Sequence, residues 1–263
     1  MSIEGSITAL VTPMNEKGDL DYNSLEKLIN FQIDSGISGL VAVGTTGESA
    51  TIDFEDHIKL IEFFIKISNG RVHIIAGTGA NSTEEALHLT REAKNLGADA
   101  ALLVSPYYNK PPQEGIYRHH AKIADEVDIP QILYNVPSRT ASFIEPETVQ
   151  RLSSHQNIMG IKDATGDMKN LSEVLKLCEE NIKSKNFFLY SGDDFSFLEF
   201  LKKGGHGTIS VTSNVVPEII SEICLLVQSD FPKAKQLDDQ IKNLNQSLFC
   251  ESNPIPVKWA LHQ

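Results

Sequence analysis

A chain of 263 residues with 41% hydrophobic content can bury a large core, either as two ordinary domains or as one α/β barrel. Its formal net charge of −12 excludes partners that need clustered Lys and Arg, so neither nucleic acid nor an anionic membrane is expected. Three scattered cysteines outside CxxC pairs, no signal-peptide pattern in MSIEGSITALVTP and no membrane-length apolar run predict a cytoplasmic protein with reduced thiols.

Apolar, β-branched runs recur along the chain at 6–13, 39–44, 73–77, 101–106, 131–135, 158–162, 187–192 and 207–211, which makes eight predicted strands. Between them lie segments with apolar residues three and four apart, among them 25–33, 54–67, 83–96 and 171–178, which predict helices. Strand and helix alternate without a Pro/Gly/Ser-rich linker, so the expected fold class is α/β, a (β/α)8 TIM barrel over residues 1–213. From 214 to 263 the pattern turns helical (217–227 and 231–249) and reads as a short C-terminal appendage.

In such barrels the chemistry sits at the C-terminal strand ends. Lys162 closes the sixth run, NIMGIK, one barrel period after a run that ends near Tyr134. Strand alternation turns Lys162 to the side of Gly160, which would leave room for a substrate, and turns Asp163 to the other side. Desolvation of an inward lysine favours the neutral amine, which can attack a carbonyl to form a Schiff base. The plainer reading is a strand-end lysine that snorkels into water. Tyr134 would point inward beside it as a proton carrier, or else serve as a core residue with one hydrogen bond.

The rim offers further candidates. Thr45 to Glu48 has the T-x-x-E spacing of a capping box, and the same threonines and amides could cradle a carboxylate. Arg139 presents a fork suited to a second carboxylate, against the plainer reading of a surface arginine. Asp193 and Asp194 read as helix caps, and His206 in GGHGT as structural, in a loop that is a weak phosphate site. The eight histidines are scattered, and adjacent His119 and His120 cannot share a helix face, so no metal is expected.

In this order and spacing, GTTGES (44–49), AGTGAN (76–81), PYYNKP (106–111), YNVPSRT (134–140), GIKDATGD (160–167), SGDD (191–194), GGHGTISVTSN (204–214) and NPIPVKWA (253–260) closely resemble the dihydrodipicolinate synthase family. That family comprises pyruvate-dependent class I aldolases and lyases on (β/α)8 barrels. The resemblance implies that Lys162 forms the Schiff base with pyruvate, with no other cofactor, and that Tyr134 donates and accepts protons. Thr45 and Tyr108 would complete a hydroxyl relay with Tyr134, Tyr108 reaching across a dimer interface into the neighbouring site. Thr46, Gly192 and the backbone at Ile209 would hold pyruvate, and Arg139 the carboxylate of L-aspartate 4-semialdehyde. The implied product is 4-hydroxy-tetrahydrodipicolinate, at the entry to the lysine branch of the diaminopimelate pathway.

The family's feedback site for L-lysine maps onto Ser49, Ala50, His57, Asn81, Glu85 and Tyr107, which implies inhibition by lysine. Phe54 departs from the pattern, since lysine-sensitive bacterial members often have histidine there. Members of the family also continue for about another helix pair beyond NPIPVKWA. The implied assembly is therefore a homodimer at least, and a homotetramer if the short C-terminus permits. Two alternatives use the same residues: a sibling lyase acting on a sugar acid of the N-acetylneuraminate or ketodeoxygluconate type, and a catalytically dead, lysine-binding barrel.

Overall fold

The computed structural model describes residues 3–263. Eight parallel strands close on themselves in chain order: β1 (Gly5–Ala9), β2 (Gly39–Ala42), β3 (His73–Gly77), β4 (Ala100–Val104), β5 (Gln131–Asn135), β6 (Ile158–Asp163), β7 (Phe188–Ser191) and β8 (Gly207–Ser210). Around them lie α1 (Tyr22–Asp34), α2 (Phe54–Ser68), α3 (Thr83–Leu96), α4 (Gln113–Glu126), α5 (Pro137–Thr140), α6 (Pro146–Ser153), α7 (Met168–Leu177), α8 (Glu179–Lys183) and α9 (Phe197–Lys202). Helices α10 (Pro217–Leu226), α11 (Phe231–Leu248) and α12 (Ile255–His262) complete the chain. This is the expected (β/α)8 barrel. Helix α10 packs on β1, so the outer helical layer runs past residue 213, and α11 and α12 are added beyond it.

The strands are apolar on both faces because each face has its own cover. Ile7, Val41, Ile75, Leu102, Ile132, Tyr134, Phe188, Tyr190 and Ile209 fill the interior. Leu40 and Ile74 instead pack outward against Ile29, Leu60, Ile61 and Phe64. Helix α2 shows why these segments coil as they do. Asp53 caps it by accepting the Asp56 N–H (2.9 Å), Glu55 and Asp56 sit in its first turn, and Asn69 ends it in the left-handed region. Its buried residues His57, Leu60, Ile61 and Phe64 recur at helical spacing, and truncating the fully buried Phe64 to alanine would cost about 3–5 kcal/mol.

The strand ends differ from expectation where tertiary bonds compete with the ladder. β1 stops at Ala9 rather than at residue 13, because the Val11 N–H donates to Asn214 Oδ1 (3.1 Å) and the Thr12 hydroxyl to the Gly47 carbonyl (2.7 Å). Asn214 in turn donates to the carbonyls of Ala9 (2.8 Å) and Val211 (2.9 Å), stitching the exits of β1 and β8. Among the described residues no helix is long and apolar enough to cross a membrane.

Candidate active site

Lys162 and Tyr134 lie opposite each other in the β5/β6 register, and both point into the barrel. They are 5% and 6% exposed, and Lys162 Nζ stands 4.3 Å from the centre of the Tyr134 ring. No acceptor is hydrogen-bonded to the ammonium among the described residues. The adjacent Asp163 faces outward, where its carboxylate accepts from Asn170 Nδ2 (2.8 Å) and the Thr165 N–H (3.1 Å). Burial raises the Asp163 carboxyl above its ordinary range, while those hydrogen bonds oppose the rise. The strand alternation thus separates the amine from its sequence neighbour's carboxylate.

The space beside the lysine comes from Gly192, not Gly160. A Cβ on Gly160 would meet the Phe188 carbonyl oxygen at 2.4 Å, so that position is filled by β7 and leaves no room for a substrate. A Cβ on Gly192 would stand 2.7 Å from Lys162 Cε, so this glycine is what lets the lysine side chain lie where it does. Ile209 on β8 is buried in the interior with Tyr134.

At the rim, a cavity of about 440 Å³ is lined by Thr45, Glu48 and Arg139 together with Ser49, Ala50, His57, Glu85 and Tyr107. The structure therefore places most of the expected lysine-site residues in one cavity with Thr45 and Arg139, while Lys162 and Tyr134 lie outside its lining. Asn81 also lies outside it, its carbonyl accepting from Asn109 Nδ2 (3.2 Å). His57 donates from Nε2 to the Gly77 carbonyl (2.7 Å), and burial depresses its pKa. Burial and the nearby Glu85 charge raise the Tyr107 hydroxyl. Phe54 stacks on His88 at 4.6 Å. Tyr108 is 88% exposed, with φ at +74°, and among the described residues it makes no hydrogen bond to Thr45 or Tyr134 within its own chain.

Two expected helix caps are corrected. Thr45 to Ala50 forms consecutive turns and starts no helix, since α2 begins only at Phe54 under its own cap. Glu48 is turned into the left-handed region (φ +65°) and accepts from Lys258 Nζ (2.5 Å) instead of capping. Asp194 likewise caps nothing: its Oδ2 accepts the N–H groups of Val211 and Thr212, both at 2.9 Å, and its own carbonyl accepts from Asn245. Asp193 instead accepts from the Ser196 hydroxyl ahead of α9, a helix that has no side-chain cap bond.

One contributor was not singled out from the sequence. Asn253 donates from Nδ2 to Thr46 Oγ1 (3.0 Å), and its carbonyl accepts from Arg139 Nη2 (3.0 Å). Its only sequence signal is its place at the head of NPIPVKWA.

The profile of the Dihydrodipicolinate synthetase family matches residues 2–263. The 4-hydroxy-tetrahydrodipicolinate synthase of Pseudomonas syringae is 53% identical over 262 residues, covering 99% of this chain and 88% of that relative. Among solved structures, the chloride-inhibited dihydrodipicolinate synthase of Acinetobacter baumannii complexed with pyruvate superposes with a TM-score of 0.95 at 51% identity, over 99% of this chain and 88% of that one. The enzyme of Cyanidioschyzon merolae with lysine bound gives 0.93 at 36% identity, over 99% and 88% of the two chains.

Proposed function

The chain belongs to the dihydrodipicolinate synthetase family, and from that membership we infer that it is a lyase that condenses pyruvate with L-aspartate 4-semialdehyde to give 4-hydroxy-tetrahydrodipicolinate. The observation that carries the mechanism is the buried Lys162 amine, free of any carboxylate partner, over the Tyr134 ring. The amine adds to the keto carbon of pyruvate, and water leaves to form the Schiff base. Loss of a methyl proton gives the enamine, whose carbon attacks the aldehyde of the second substrate. Attack by the substrate's own amine on the Schiff-base carbon closes the ring and returns Lys162. Tyr134 moves the protons, with Thr45 and a partner's Tyr108 as the relay; Thr46, Gly192 and Ile209 hold pyruvate, and Arg139 receives the second carboxylate. The lysine itself supplies the electron sink, so the reading requires no further cofactor.

Arg139 at the cavity favours the amino-acid aldehyde, which carries a carboxylate, over the neutral sugar aldehyde that a sugar-acid lyase would use as acceptor. The same cavity suits feedback by L-lysine, with Glu85 for the ammonium, Ser49, Ala50, His57 and Tyr107 around it, and Asn81 outside its lining; a titration with no loss of rate at high lysine would reject that role. The exposed Tyr108 supports a homodimer at least, with sedimentation as the check. The three free cysteines suit a reducing cytoplasm.

The deciding experiment is intact mass after borohydride reduction in pyruvate, with peptide mapping and a Lys162→Ala control. One reduced pyruvyl group on Lys162 is expected. A folded protein that takes no adduct sinks the mechanism.

A further inference from the structure

Residues 253–258 tie the end of the chain to two separate parts of the rim. Asn253 donates to Thr46 Oγ1, Arg139 donates to the Asn253 carbonyl, and Lys258 pairs with Glu48 Oε1 at 2.5 Å. Thr46 and Glu48 follow β2, whereas Arg139 lies on α5 beyond β5, so one short segment bridges loops from different sides of the barrel mouth. The segment has its own apolar anchor: Val257 is fully buried against Val11, Val211 and Leu248.

The ion pair is unlike the others on the surface. Its side chains are 28% and 25% exposed, against 73% and 59% for Lys183 and Glu179. A pair so placed is screened less by salt and holds its geometry better. It also fastens a residue, Glu48, whose left-handed backbone is uncommon for a side chain of its size.

We propose that Lys258 is a positioning residue for the second substrate: its pair with Glu48 seats α12 against the rim, and the seated Asn253 directs the Arg139 guanidinium and the Thr46 hydroxyl. Among the described residues neither Lys258 nor Asn253 hydrogen-bonds to Lys162 or Tyr134, which stand on the barrel strands. Without the pair, the long exposed Arg139 side chain regains its rotamers and must be ordered by the incoming carboxylate. The cost therefore falls on capture of the aldehyde and not on formation of the Schiff base. The proposal rests on the Schiff-base reading above.

The test compares wild type with Lys258→Met, Lys258→Arg and the charge swap Glu48→Lys/Lys258→Glu, by kinetics with each substrate varied, borohydride trapping of pyruvate, and thermal unfolding. Lys258→Met is expected to raise the KM for L-aspartate 4-semialdehyde about fivefold, with kcat within about twofold and the pyruvate adduct retained. Lys258→Arg and the charge swap restore the KM. Should Lys258→Met not fold, Glu48→Gln breaks the same pair from the other side. An unchanged KM in a variant with lowered thermal stability overturns the proposal, as does a raised KM that neither restoring variant lowers. A wild-type protein that forms no pyruvate adduct overturns the Schiff-base reading instead, so the two failures are distinct.

Discussion

The barrel interior and its rim are held together in different ways. Tyr134, Lys162 and Tyr190 are successive partners in a parallel ladder, so their spacing is set by backbone hydrogen bonds across β5, β6 and β7. Thr46 and Glu48 sit on the turns after β2 and Arg139 on the short helix α5, and their side-chain partners are Asn253 and Lys258. The contrast teaches a division of labour. On the proposed function, covalent chemistry, which tolerates little misplacement, would stand on strands, and recognition of the second substrate on elements that side-chain bonds can adjust.

Substitutions can break that division, beginning in the interior. Tyr134→Phe removes the proposed proton carrier but not the ring over the lysine, and kcat is expected to fall about 10²–10⁴-fold while borohydride still traps pyruvate; a loss under tenfold would deny Tyr134 that role. Gly192→Ala places a Cβ 2.7 Å from the original position of Lys162 Cε and pushes the amine aside, so kcat/KM should fall about 10²-fold, with adduct yield falling in parallel. A rim variant should behave otherwise. Arg139→Ala is expected to raise the KM for the aldehyde about tenfold, the worth of a charge-assisted hydrogen bond, with pyruvate trapping unchanged; reduced trapping would mean that rim and interior are not separable.

The smallest effect concerns the frame behind the strands. His119 and His120 on α4 are buried; burial lowers His119 from 6.5 to about 4, and burial together with the neighbouring His119 holds His120 well below its ordinary value. Because the folded state resists protonation, the unfolded chain binds more protons as the pH drops, and stability is lost as pH falls from about 6.5 towards 4. The loss is at most about 1.4 kcal/mol per pH unit for each group. Denaturant midpoints at pH 7 and pH 5 measure it, and His119→Gln should flatten the slope; an unchanged slope would show that His119 is not the sensor.

Much of the interior was legible in the sequence because its signals are local. Apolar runs bounded by polar strand ends located all eight strands, and a lysine closing such a run marked Lys162 as anomalous. Errors arose where a local pattern had a distant competitor. The T-x-x-E spacing at Thr45 was compatible with a cap, but Lys258, 210 residues away, takes the Glu48 carboxylate. Two aspartates before a helix read as caps, yet the β8 exit claims Asp194.

What the chain determined by itself was the (β/α)8 order, the inward lysine and tyrosine, and the membership its motifs implied, because periodicity and strand alternation are properties of neighbouring residues. Only the tertiary structure decided that Gly192 and not Gly160 makes room for the amine, that most of the residues expected to bind lysine share a cavity with Arg139, and that Asn253 and Lys258 reach the rim. The reason is physical: these depend on how closed strands bring together groups as far as 210 residues apart, and no local period encodes that distance.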